Sequence, residues 1–102
     1  MAKLIAIYKT PKNPAAFDAY YFARHVPLAK TIPGLRKYDV NSGPVASAAG
    51  PSGVHLIASL YFDSLADIEA GLASAQGQAA AGDIGNFADG GVDLYFYDTR
   101  EV

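Results

Sequence analysis

The chain has no cysteine. That absence excludes disulfides, thiolate catalysis and cysteine-ligated metals, and it accords with a cytosolic setting. There is no basic run: eight Lys and Arg are scattered among ten Asp and Glu, for a formal net charge of −2. Nucleic-acid binding needs a clustered positive face, so that class of partner is set aside. The apolar stretch Leu4–Tyr8 is flanked by Lys3 and Lys9 and is too short for a signal-peptide core or a membrane span. Two histidines thirty residues apart make no zinc motif, and the acidic residues lack metal-loop spacing. Gly-x-x-x-x-Gly-Lys is missing, as are a dinucleotide fingerprint and a serine at a nucleophile elbow. No metal and no cofactor is expected.

What is present is apolar and aromatic. Half of the 102 residues are hydrophobic, and seven Tyr and five Phe are many for this length. The length indicates one domain, 1–102, without a composition shift that would mark a linker. Four segments read as strands: Leu4–Lys9, Leu35–Asn41, His55–Phe62 and Val92–Asp98. A first helix starts after Asn13, with Pro14 at its first position, and runs toward Lys30. A second starts after Ser64, with Asp67 three residues on, and keeps Leu65, Ile68 and Leu72 at helical spacing. Ser42–Gly53 reads as a loop, and Ala75–Gly91, with five glycines, as short helical turns.

The order strand, helix, strand, strand, helix, strand is the split βαβ pattern of α+β ferredoxin-like folds, a four-stranded antiparallel sheet with both helices on one face. The first and third strands are apolar on both faces, which places them centrally, and the half-polar second strand suits an edge. Helices cover one face only. The other also carries apolar residues, and pairing with a second copy through that face is its simplest cover. A solvated face would instead alternate apolar with polar.

Phe17, Tyr21, His25, Leu28 and Ile32 step along one stripe of the first helix, so His25 faces the sheet among aromatics. Pro27 removes a helical N–H and disfavours helical angles at Val26, so a break and a cavity are expected beside His25. Histidine both takes and gives a proton near neutrality. The plainer reading of His25 is a core histidine bonded to a backbone carbonyl, and the residues leave both open. Tyr38 is the second candidate for chemistry, as a phenol that orients a ligand oxygen or pairs with His25. Tyr8, Phe17, Tyr21, Leu28 and His55 are expected to line a pocket for a small apolar or aromatic molecule. Strand alternation puts His55 on the face of Ile57, Ser59 and Tyr61.

The run Tyr8-Lys9-x-Pro11-x-Asn13-Pro14-x-x-Phe17-x-x-Tyr20-Tyr21-x-x-x-His25-x-Pro27-Leu28-Ala29, followed by Pro33-Gly34-Leu35, resembles the EthD family. The stretch from Gln76 through Asp83 and Asn86-Phe87 is similar to it too, as is the aromatic last strand. The resemblance implies a dimeric α/β barrel, within a superfamily that also holds cofactor-free monooxygenases, lactone isomerases and haem enzymes. It implies pocket roles for His25 and Tyr38, and the family's second motif has Glu near the position of Gln76. The expected function is cofactor-free oxidation, isomerisation or decarboxylation in a catabolic pathway, with His25 as acid and base. The alternative is a non-catalytic binding or accessory protein of an oxygenase system.

Overall fold

The computed structural model describes residues 1–102. Its elements are β1 (Ala2–Lys9), α1 (Pro14–Tyr20), a π-helical turn (Tyr21–His25), α2 (Val26–Ala29), β2 (Lys37–Val40), β3 (Ala46–Ser47) and β4 (Gly50–Pro51). There follow β5 (Val54–Phe62), α3 (Leu65–Ala73), α4 (Ala75–Asp83), a 3₁₀ turn (Ile84–Asn86) and β6 (Val92–Asp98). The main sheet has the order β2-β5-β1-β6, antiparallel throughout, with the two strands expected at the centre in place there. It is an α+β ferredoxin-like fold, and the single chain forms an open sheet rather than a closed barrel. No helix is long and apolar enough to cross a membrane.

Alternation along the central strands explains the core. Ala2, Leu4, Ala6 and Tyr8 of β1 and Leu56, Ala58, Leu60 and Phe62 of β5 all point to the helices and are buried. Phe17, Tyr21, Ile68 and Phe87 meet them from the other side. Burying each large side chain contributes about 1.5–3 kcal/mol. The opposite face carries half-buried Ile5, Ile7, Ile57 and Tyr61, continued by exposed Tyr95 and Tyr97.

Local chemistry sets the helix starts. Asn13 Oδ1 accepts from the N–H of Ala16 at 3.1 Å, with Pro14 in the first turn. Ser64 Oγ accepts from the N–H of Asp67 at 3.1 Å. Ser74 ends α3 and caps α4, its Oγ accepting from the N–H of Gly77 at 3.0 Å.

The structure corrects several expectations. Val26 keeps helical angles, φ −57° and ψ −49°, despite preceding Pro27. The chain absorbs the proline by widening the turn before it: the N–H of Val26 reaches back five residues to the carbonyl of Tyr21. That register already interrupts the ordinary helical ladder, so the missing N–H of Pro27 disturbs little more. Ala75–Asp83 is a nine-residue helix, held by the Ser74 cap and by its packing on α3, where glycine propensity alone favours broken turns. The 42–53 loop contains the small β3–β4 hairpin. Lastly, Tyr8 pairs with Leu56 and Lys9 with Val54, which leaves His55 unpaired in a bulge. The bulge turns His55 away from the face of Ile57 and toward α1, where its ring meets Phe17 edge-on at 4.9 Å.

Candidate functional site

A cavity of about 60 Å³ lies between the helix face of the sheet and the helices. The π-helical turn aims two side chains at it. Tyr21 and His25 are both buried, at 0 % and 5 % exposure, while Phe22, Ala23 and Arg24 between them face outward. Tyr8 from β1, Tyr38 from β2, Leu94 from β6 and Ile84 after α4 also line it. Of the sixteen lining residues fourteen are hydrophobic, and none is lysine or arginine. The enclosed space is under half of a cavity that admits benzene, about 150 Å³. A space of this size has room for a small group rather than a whole ring, and Leu94, which lines it, is 45 % exposed.

His25 does not bond a backbone carbonyl. Its Nδ1 lies 2.9 Å from Oδ2 of Asp83, at the end of α4, with both side chains nearly buried. The other carboxylate oxygen, Oδ1, accepts from the hydroxyl of Tyr20 at 2.6 Å and from Nδ2 of Asn86 at 2.9 Å. Burial pushes the Asp83 carboxyl up, but the hydrogen bonds from Tyr20, Asn86 and His25 and the charge of His25 outweigh it, and hold it below its ordinary value. Asp83 is therefore an anion at neutral pH and an acceptor toward His25. In the neutral imidazole Nδ1 then carries the ring hydrogen, and Nε2 has the lone pair. The imidazole is packed between Phe87, with centroids 4.7 Å apart, and Tyr21, at 5.3 Å.

Tyr38 meets Tyr21 rather than His25: their hydroxyl oxygens are 2.5 Å apart. Burial raises the pKa of both phenols, so both stay protonated. One hydroxyl donates to the other, and one O–H of the pair is left over.

Among the residues singled out from the sequence, His25, Tyr38, Tyr8 and Tyr21 share this cavity. Phe17, Leu28 and His55 are outside its lining. Phe17 is buried one layer further out, stacked on Tyr21 at 5.7 Å. Leu28 is half-buried against the core. His55 borders a separate surface cleft and bonds Oδ1 of Asp18 through Nε2 at 2.8 Å. Gln76 is exposed on α4. The residues missed were Asp83, Tyr20, Asn86 and Phe87. Asp83 and Asn86-Phe87 stood in the second family-like stretch, but nothing in local spacing joins Asp83 to a histidine 58 positions earlier.

The family model for the EthD domain matches residues 9–91. An uncharacterized 11.0 kDa protein in the thcB-thcC intergenic region of Rhodococcus erythropolis is 40 % identical over 103 residues, covering 100 % of this chain and 98 % of its own. The crystal structure of an EthD family protein from Bacillus halodurans is 34 % identical with a TM-score of 0.89, over 98 % of this chain and 99 % of that one. SnoaB, a cofactor-independent oxygenase from Streptomyces nogalater, is 13 % identical with a TM-score of 0.69, over 99 % of this chain and 94 % of that one, a likeness of fold.

Proposed function

This chain belongs to the EthD family, and from that premise we propose that it binds a small apolar or aromatic molecule and moves a proton on it with His25, without a cofactor. The observation that supports this is a 95 %-buried His25 that lines an apolar cavity while Asp83 holds its Nδ1 and leaves Nε2 without a partner. In this reading Nε2 removes a proton from an acidic C–H or O–H, and the Asp83 carboxylate stabilises the imidazolium that forms. Returning the proton to another atom of the same molecule is an isomerisation; delivering it to the carbon that has lost CO₂ completes a decarboxylation. An oxidation by the same site takes dioxygen as the electron acceptor, and a cofactor-independent oxygenase has this fold. Tyr38, held by Tyr21, orients an oxygen of the ligand through the O–H that the pair leaves over. The setting proposed is a catabolic pathway in the cytosol.

His25→Ala tests the reading. On a panel of small aromatic and aliphatic substrates we expect turnover to fall at least about 100-fold, the usual worth of a positioned acid–base group. Circular dichroism should be unchanged. Turnover equal to the parent's removes His25 from the mechanism.

We also propose that a second copy covers the open face of the sheet, where Ile5, Ile7 and Ile57 adjoin exposed Tyr95 and Tyr97. Sedimentation should give twice the 10.7 kDa chain mass, and Ile7→Lys should give a folded single chain. A parent protein that sediments as one chain at high concentration rules the pairing out.

A further inference from the structure

The hydroxyl of Tyr8 is the most unusual polar group in the cavity. Tyr8 is 1 % exposed, yet its hydroxyl has no hydrogen-bond partner in the chain and is not sealed off from the cavity it lines. A buried phenol normally finds a partner. Nε2 of His25 likewise has no partner in the chain: the bond to Asp83 uses only Nδ1, and His25 lines the same cavity. Two polar atoms without partners therefore belong to nearly buried side chains that line one apolar space.

Their chemistry is complementary. Burial, with the nearby Tyr38 and Asp83, raises the pKa of the Tyr8 phenol, so it offers a hydrogen. In the neutral ring Nε2 offers a lone pair, because the bond to Asp83 fixes the ring hydrogen on Nδ1. A group that satisfies both must accept one hydrogen bond and donate another, which a hydroxyl does and a ketone, a methyl or a carboxylate does not. Charge argues the same way. Asp83 is an anion beside the cavity, and no lysine or arginine lines it, so a carboxylate or phosphate would be desolvated against a like charge.

We infer that the ligand is a neutral hydroxyl compound, an alcohol, phenol or enol, whose oxygen accepts from Tyr8 and donates to Nε2 of His25. The inference rests on the function proposed above and names its substrate class, which keeps the isomerisation and the oxidation and drops the decarboxylation, whose substrate is a carboxylate. It makes Tyr8 the residue that selects for oxygen, and it presents the hydroxyl proton to the base.

The test uses phenol, toluene and benzoate as probes, titrated into the full chain and followed by the His25 ring resonances in ¹⁵N NMR. Phenol is expected to shift the Nε2 signal and to bind about tenfold tighter than toluene, as one hydrogen bond at each end of a hydroxyl allows. Benzoate is expected not to bind. Tyr8→Phe removes no bond within the chain, so it should fold as the parent does and bring the phenol preference close to unity. A Tyr8→Phe protein that keeps the full preference, with phenol still moving the Nε2 signal, overturns the role of Tyr8 and leaves the His25 site standing. Toluene or benzoate binding as tightly as phenol overturns the hydroxyl class. If none of the three moves the His25 ring at its solubility limit, the site itself is misassigned and this inference goes with it.

Discussion

Gly77→Ala is expected to destabilise the protein by about 3 kcal/mol or more, the upper range for overpacking, although alanine is the better helix former by about 1 kcal/mol. A Cβ at Gly77 would overlap the carbonyl oxygen of Gly71 and come within 2.7 Å of the Cα of Leu72. Both obstacles are backbone, so no side chain can swing aside and α4 must move off α3. The same contact is tied by Ser74, whose hydroxyl donates to the carbonyl of Gly71 at 2.5 Å and accepts from the N–H of Gly77. Because α4 carries Asp83, the displacement also draws the carboxylate away from His25. Gly82→Ala in the same helix meets nothing within 4 Å, and it should be neutral or stabilising by about 0.5–1 kcal/mol. Thermal unfolding compares the two. At about 4–8 °C per kcal/mol for a domain of this size, the midpoints should differ by well over 10 °C. Equal midpoints mean that α3 and α4 do not touch as described.

The contrast between these glycines shows where sequence reading stops. Strand order, the central place of β1 and β5 and the starts at Asn13 and Ser64 follow from alternation and caps, which are local and periodic. His25 was legible as a buried residue because the stripe from Phe17 to Ile32 repeats at helical spacing. Three features were not. The π-helical turn absorbs Pro27 within the helix, where proline alone suggests a break. The bulge at His55 is a mismatch between two strands and cannot be seen in one of them. Asp83 and His25 meet through the packing of α4, whose Gly77 lies directly against the backbone of Gly71 and Leu72, so no spacing of acid and base announces the pair. The glycines that made Ala75–Gly91 look like broken turns are in part what lets it pack as a helix.

Asp83→Asn should cost about two orders of magnitude or more in kcat/KM while leaving the fold intact, the scale seen when the group that fixes a catalytic imidazole is lost. The reason is directional. Asp83 accepts three hydrogen bonds, from Tyr20 and Asn86 at Oδ1 and from His25 at Oδ2. An asparagine that keeps its single carbonyl oxygen on Tyr20 and Asn86 must turn its NH₂ toward Nδ1. That imidazole nitrogen then becomes the acceptor, the ring hydrogen moves to Nε2, and the atom facing the cavity donates where it should take a proton. The ¹⁵N resonances of His25 report the switch directly. Stability changes with a definite sign. The Asp83 carboxyl is held below its ordinary value in the fold, with burial opposing and the three hydrogen bonds and the charge of His25 prevailing. Its contribution is therefore complete above the ordinary carboxylate range, about pH 4, and is lost as pH falls through the lower folded value. Urea midpoints should show Asp83→Asn weaker than the parent at pH 7, with the gap narrowing toward pH 3. An Asp83→Asn protein with parental turnover and the hydrogen still on Nδ1 would show that the carboxylate only braces α4 and that His25 works without it.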